Sequence, residues 1–146
     1  MSYPQITFTM TTFNRLDLFI KTMESFLSTC KDLDLIDRWI ISDDGSDLVD
    51  ITEMKKRFPF FTILRNPGKG QASNINHLFS KVETEWFFHC EDDWVFRKKG
   101  NYIRRLFDVT LDNPDIKNAV LRHWEGGQLR KTNTGILYNV HIYDPD

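Results

Sequence analysis

Residues Trp86 to Trp94 read WFFHCEDDW. Trp86, Phe87, Phe88 and Cys90, with His89 among them, have the apolar density and length of a short buried strand. Three carboxylates follow without a break: Glu91, Asp92 and Asp93. Carboxylates a few ångströms apart repel by about 1 kcal/mol per pair in water, and by about 4 kcal/mol at an effective dielectric of about 20. A strand that ends this way gains nothing in stability unless something positive binds there. Clustered hard oxygen ligands suit magnesium, manganese or calcium. Taken alone, the same three residues read as a solvated acidic turn, so the choice rests on the rest of the chain.

Working back from this stretch, Gln71 to Val82 reads as a helix with Ala72, Ile75, Leu78, Phe79 and Val82 on one face. Before it comes Arg65-Asn66-Pro67-Gly68-Lys69-Gly70, a loop of turn residues with two positive charges. It is not a Walker loop, because GK[ST] is absent. Phe60 to Leu64 reads as a strand and Leu48 to Phe58 as a helix, capped by Ser46 or Asp47. Trp39 to Ser42 is a further strand, ending at Asp43-Asp44-Gly45-Ser46, which by itself reads as a strand-to-helix turn. At the start, Ile6 to Thr12 alternates and is rich in β-branched residues, as a strand is. Asn14 is placed to cap a helix, with Asp17 in its first turn. Leu16, Phe19, Ile20, Met23, Phe26, Leu27 and Cys30 then form the buried face of that helix.

Beyond the acids, Arg97-Lys98-Lys99 reads as a solvated basic turn in preference to a phosphate site. Asn101 to Leu111 is predicted helical, with Ile103, Leu106, Phe107 and Thr110 inward and Asn113-Pro114-Asp115 ending it. Ala119 to Trp124 is predicted as a strand, Glu125-Gly126-Gly127 as a turn, and Gly135 to Tyr143 as a last, half-exposed strand.

Strand, helix, strand, helix, strand, helix, strand is the order of an α/β fold: a mostly parallel central sheet with helices on both faces. Here a short antiparallel addition is expected at the C-terminal end. Right-handed crossovers put the C-terminal ends of the strands along one edge, where ligands of such sheets bind. Four stretches then meet in one crevice: Thr11 to Arg15, Asp43 to Ser46, Arg65 to Gly70, and Glu91 to Asp93. Together they bring an aromatic ring to stack on, acids for a base or ribose, basic loops, and carboxylates for a metal beside a diphosphate.

Composition narrows the classes. The chain has 146 residues, with 40% hydrophobic and 27% charged, which suits one globular domain. Twelve Phe and four Trp make the expected core strongly aromatic. A net charge of −2 argues against a general nucleic-acid binder. Two cysteines, Cys30 and Cys90, form no disulfide framework and fit a reducing compartment. No apolar run approaches the roughly 20 residues of a membrane span, and MSYPQITFTM has no signal-peptide pattern. The expected location is the cytoplasm, at the inner membrane face if the chain acts on a lipid.

Over residues 5 to 100 the sequence resembles a family-2 glycosyltransferase of the GT-A fold. The resemblance rests on TTFNR at Thr11 to Arg15, SDDGSD at Ser42 to Asp47, NPGKGQASNIN at Asn66 to Asn76, and EDD at Glu91 to Asp93, each following a strand and in this order. It implies a nucleotide-sugar donor, UDP-linked, and a carbohydrate or lipid-linked acceptor. It places Phe13 by the uracil and Asp44 on the base, with Thr11, Arg15, Asp43 and Lys69 also on the donor side. It makes Asp93 the direct ligand of Mn2+ or Mg2+, with Glu91 assisting at the D/E-x-D spacing, and turns Asp92 toward the sugar or ribose. It further implies a DXD-type motif, a donor-binding half at 1–100 and an abbreviated acceptor half at 101–146.

The chemistry is consistent with these residue types. Glycosyl transfer needs a stabilised leaving diphosphate, which a divalent cation supplies. It also needs an acceptor hydroxyl to lose its proton to a carboxylate base. Glu125, in HWEGG, is the best-placed base after the acids, and it reads equally as a turn glutamate. Attack opposite the leaving group gives inversion at the sugar carbon. The competing expectations are a catalytically silent or truncated nucleotide-sugar-binding module, a related nucleotidyltransferase, and a metal-binding structural domain without nucleotide. A truncated chain would expose the edge at Tyr138 to Tyr143 and favour homo-oligomers.

Overall fold

Ile6–Thr12 forms strand β1 over the residues that its alternation marks, and every one of them is buried. The computed structural model describes residues 2–116 and 118–119, and the backbone of 130–131 and 137–138. After β1 come α1 (Leu16–Thr29), a single 3-10 turn (Leu33–Leu35), β2 (Ile36–Asp43), α2 (Leu48–Arg57), β3 (Phe61–Arg65), α3 (Gln71–Phe79) and β4 (Trp86–Glu91). These lie in a compact unit, Met1–Gly100; a second unit, Asn101–Asp146, contains α4 (Tyr102–Thr110) and a two-residue antiparallel pair, β5 (Arg130–Lys131) with β6 (Leu137–Tyr138). The strands predicted near Ala119 and Gly135 fall mostly outside the described residues.

The four strands of the first unit are all parallel, in the order β3-β2-β1-β4. Two crossovers move the chain one way, from β1 to β2 to β3. The third carries it back past β2 and β1 to lay β4 on the far side. With right-handed crossovers, that reversal puts α3 on the face opposite α1 and α2. It also makes the gap between the ends of β1 and β4 the switch point where ligands of open sheets bind.

The two faces of the sheet have different chemistry, because successive side chains of a strand point opposite ways. Phe8 is fully buried on one face. Its ring centroid lies 5.0 Å from Phe26 of α1, 4.8 Å from Trp39 of β2 and 6.0 Å from Phe88 of β4. Phe19 meets Phe58, at the end of α2, edge-on at 5.4 Å. On the other face Thr7, Thr9 and Ser42 are equally buried but polar. Thr9 shares a hydrogen bond of 3.1 Å with His89, whose ring stands edge-on to Phe79 of α3. The Ser42 hydroxyl donates to Asn74 of α3, and the Asn74 amide donates back to the Ser42 carbonyl at 2.9 Å.

Several local expectations are corrected. Asn14 does not cap α1: it takes a left-handed backbone (φ 49°) and donates its N–H to the Ser46 hydroxyl at 2.8 Å, so Arg15 is the cap residue. Asp47 precedes α2 without a side-chain cap bond. β2 begins three residues before Trp39, because its pairing with β1 starts at Ile36 and the polar Asp37 and Arg38 mask it. α3 stops at Phe79; after the Ser80 N–H bonds to Asn76, three-residue bonds (Lys81 to Leu78, Val82 to Phe79) continue the turn. Its buried positions are Asn74 and Leu78, while Ala72 is exposed. β4 is not buried throughout: Phe87 is 46% exposed, since β4 is an edge of this sheet. As expected, both cysteines are buried and no disulfide joins them.

The Phe8 ring meets rings of four elements besides its own strand: α1, β2, β3 and β4. Phe8→Ala is expected to lower the unfolding free energy by about 3–5 kcal/mol, read from urea denaturation; a loss below about 1 kcal/mol would show that the aromatic face does not hold the sheet together.

Candidate functional site

The end of β1 and the end of β4 are tied by one hydrogen bond. The Thr12 hydroxyl donates to Asp92 Oδ2 at 2.8 Å. Asp92 is buried, and its backbone carbonyl accepts from the Thr22 hydroxyl of α1 at 2.9 Å. Further along, the Phe96 N–H donates to Ser25, and Gly100 exchanges bonds with Thr29 and Lys31. Helix α1 therefore fixes the segment after the acids at several points. Arg15, at the start of α1, reaches both neighbouring acids: 3.3 Å to Asp92 Oδ1 and 3.4 Å to Asp93 Oδ2.

The turn after β2 is built around Asp43. This carboxylate is fully buried, and accepts the N–H groups of Gly45 (3.0 Å) and Ser46 (2.9 Å) and the Ser46 hydroxyl, with Arg65 Nε 3.5 Å away. Gly45 sits at φ +116°, and a Cβ there would come within 3.3 Å of Pro67, so the turn needs glycine. The next acid points elsewhere. Asp44 Oδ1 accepts the backbone N–H groups of Lys69 (3.1 Å) and Gly70 (3.2 Å), and its carbonyl accepts from Gly68. Asp44 thus clasps the loop that leads into α3.

These ties enclose a cavity of about 190 Å³ lined by Thr11, Thr12, Phe13, Arg15, Asp44, Gln71, Asn74, Glu91 and Asp92. It is smaller than the roughly 300–1,000 Å³ of pockets that enclose a small ligand, so it has room for part of a nucleotide. Phe13 is 49% exposed there, a large apolar ring left open to solvent. Of the residues singled out in the sequence, Thr11, Phe13, Arg15, Asp44, Glu91 and Asp92 meet at this cavity. Asp43 lies beneath it as the anchor of its turn, Lys69 contributes its backbone to Asp44, and Asp93 stands beside Arg15. Glu125 lies outside the described residues. Sequence reading put Thr12 in the crevice without a role of its own, and missed Gln71 and Asn74 as lining residues. Asn74 carried a signal: a polar residue four before buried Leu78, on the face where the apolar period runs.

Burial, the largest cause, raises the Asp92 pKa above its ordinary value; the Thr12 hydrogen bond and Arg15 pull it down, and Asp93 pushes it up. Burial and the three acids also push the Cys90 thiol far up, so that it is inert as a nucleophile. Among the described residues, no three His, Cys, Asp or Glu side chains are grouped to hold a metal ion. Glu91 Oε1 instead lies 3.3 Å from His89 Nε2. Asp93, with a side chain 49% exposed, remains open to solvent. One exposed carboxylate, next in sequence to the cavity-lining Asp92, is a donor set that fits a magnesium-like ion, which takes one or two carboxylates and completes its shell with phosphates and water.

The family model described as glycosyl transferase family 2 matches residues 7–139. The chain belongs to this family. No curated protein matches the sequence. Among matching solved structures is a mannosyltransferase from Pyrobaculum calidifontis in complex with GDP-Man and Mn2+, at a TM-score of 0.53 and 15% identity, covering 64% of this chain and 28% of that one. At that identity the likeness bears on fold alone: the α/β unit with its four parallel strands matches part of that GT-A-like enzyme. The family 2 chain spans about a quarter of that enzyme's length. Among its described residues, no helix is long and apolar enough to cross a membrane.

The raised Asp92 pKa fixes the sign of a pH effect. The folded protein holds this proton to higher pH than the unfolded chain does, so between the two pKa values the native state binds more protons. Stability contributed by this group therefore falls as pH rises through that window. With chelator present, wild type is expected to lose stability relative to Asp92→Asn as pH rises from about 3 to 7, followed by thermal melts; the opposite slope would mean that Arg15 and Thr12 outweigh burial.

Proposed function

We propose that the chain binds a nucleoside-diphosphate sugar at the ends of β1 and β4, and that it is a metal-dependent, inverting glycosyltransferase acting on a hydroxyl acceptor. The observation that carries this reading is Asp44. Two backbone N–H groups occupy its Oδ1 and fix its direction beside the open Phe13 ring. A carboxylate held this way accepts from an N–H on the edge of a base, and the ring N–H of uracil is such a donor. With Phe13 and Asp44 in these positions, the donor is read as UDP-linked. Phe13 offers a stacking face of the kind worth about 1–3 kcal/mol per base.

Each remaining side chain then has a task. Thr12 holds Asp92 at the sugar or ribose side, and Arg15 serves on the donor side. Asp93, with Glu91 in support, holds the divalent cation, Mn2+ or Mg2+. Bound there, such an ion supplies Lewis-acid charge for the leaving diphosphate. Lys69 stands on the donor side of its loop. Glu125 takes the proton of the acceptor hydroxyl as general base, and residues 101–146 serve as the acceptor half. The acceptor is a carbohydrate or a lipid-linked saccharide. The reading places the protein in the cytoplasm, at the inner membrane face for a lipid acceptor, and admits a homo-oligomer.

Calorimetric titration of UDP, with GDP as comparator, tests the donor site. UDP is expected to bind in Mn2+ and to lose at least about tenfold in affinity, about 1.4 kcal/mol, with chelator or in Asp93→Ala. Glu125→Ala is expected to keep donor binding and lose turnover on a UDP-sugar panel. Binding of neither nucleotide would end the donor-site reading, and unchanged turnover in Glu125→Ala would remove that residue as the base.

A further inference from the structure

Arg15 is the positive group that meets the acid pair at the end of β4. A single nitrogen, Nη1, serves both carboxylates, at 3.3 Å from Asp92 and 3.4 Å from Asp93. Both contacts are longer than the roughly 2.7–2.9 Å of strong charge-assisted hydrogen bonds. The Arg15 side chain is 52% exposed, while Asp92 is 6% and Asp93 49% exposed. The two acids therefore differ in kind. Asp92 keeps the Thr12 hydroxyl whatever Arg15 does, whereas Asp93 has Arg15 and water. The guanidinium offsets the repulsion between the acids without being locked to either, and water lies open for it to move into.

We infer that Arg15 is the built-in counter-ion of this acid pair, and that a divalent cation reaches Asp93 by displacing it. The inference rests on the proposed assignment of Asp93 as cation ligand. A divalent ion on Asp93 needs the carboxylate that Arg15 contacts, and a guanidinium and a doubly charged cation a few ångströms apart repel. Exposed ion pairs of this sort are weak, so the displacement is easy. Arg15 still sets a threshold: it makes the acid pair a poor ligand for a lone cation. A cation that arrives with diphosphate oxygens in its shell overcomes that threshold, so loading of metal and donor is coupled through this residue.

The test is Mn2+ binding without nucleotide, followed by the free-ion electron paramagnetic resonance signal, in wild type, Arg15→Gln, Asp93→Asn and the double variant. Arg15→Gln is expected to bind Mn2+ about three- to tenfold more tightly than wild type, and the double variant to lose that gain. A second measurement needs no change at Arg15: its side-chain Nε–H resonance in the wild-type protein should shift on addition of Mg2+, and stay still in Asp93→Asn. Equal or weaker binding by Arg15→Gln, with Asp93→Asn still abolishing it, overturns the counter-ion role and leaves the cation assignment standing. Binding that is indifferent to Asp93→Asn removes the cation assignment and this inference with it, and binding absent from every variant, Arg15→Gln included, overturns the threshold role of Arg15.

Discussion

The hydrogen bond from Thr12 to Asp92 joins two strands that are neighbours in space but 80 residues apart in the chain. The site depends on it. Strand β4 arrives beside β1 only because the third crossover reverses direction, and the register that pairs Thr11 with Glu91 sets the next residues, Thr12 and Asp92, side by side. A buried carboxylate needs partners to stay ionised. Asp92 finds them in Thr12 and Arg15 on the β1 side, and its backbone is held by Thr22. The acids are thus positioned by the first helix and the first strand more than by their own.

The same constraint explains the unequal faces of the sheet. The Phe8 face is packed with rings, which bury large areas and prefer tilted or edge-on contacts. The Thr7–Thr9 face is polar, and α3 is fixed on it through Asn74 and Ser42. Hydrogen bonds specify direction where apolar packing does not. Gln71 and Asn74 therefore enter the cavity at set positions, and Asp44 meets the N–H groups of Lys69 and Gly70. The aromatic face supplies adhesion, and the polar face supplies geometry for the site.

Much of this was legible in the sequence. The period of two in Ile6–Thr12, the helical period from Leu16 to Cys30 and the acids after β4 report backbone geometry directly. The order of elements then places the motifs at one sheet edge. What stayed hidden depends on distant partners. Asn14 looks like a cap, but Ser46 draws its N–H away and leaves it left-handed. Asp43 and Asp44 are adjacent and chemically identical, yet one closes its own turn and the other spans to the next loop. Glu91 fits the metal-ligand spacing, and its carboxylate lies instead against His89, two residues back on the same strand. Spacing identifies which side chains can meet; burial and competing partners decide which of them do.

The central claim is that a nucleoside diphosphate sits at the ends of β1 and β4, read by Phe13 and Asp44. The most direct measurement is a backbone-amide NMR titration of the 15N-labelled protein with UDP and Mg2+. The largest shifts should fall on Phe13, Lys69, Gly70 and Asp92, with Phe61 and Thr62 at the far end of β3 unmoved. Shifts confined to residues away from these strand ends, or none at saturating UDP, would contradict it.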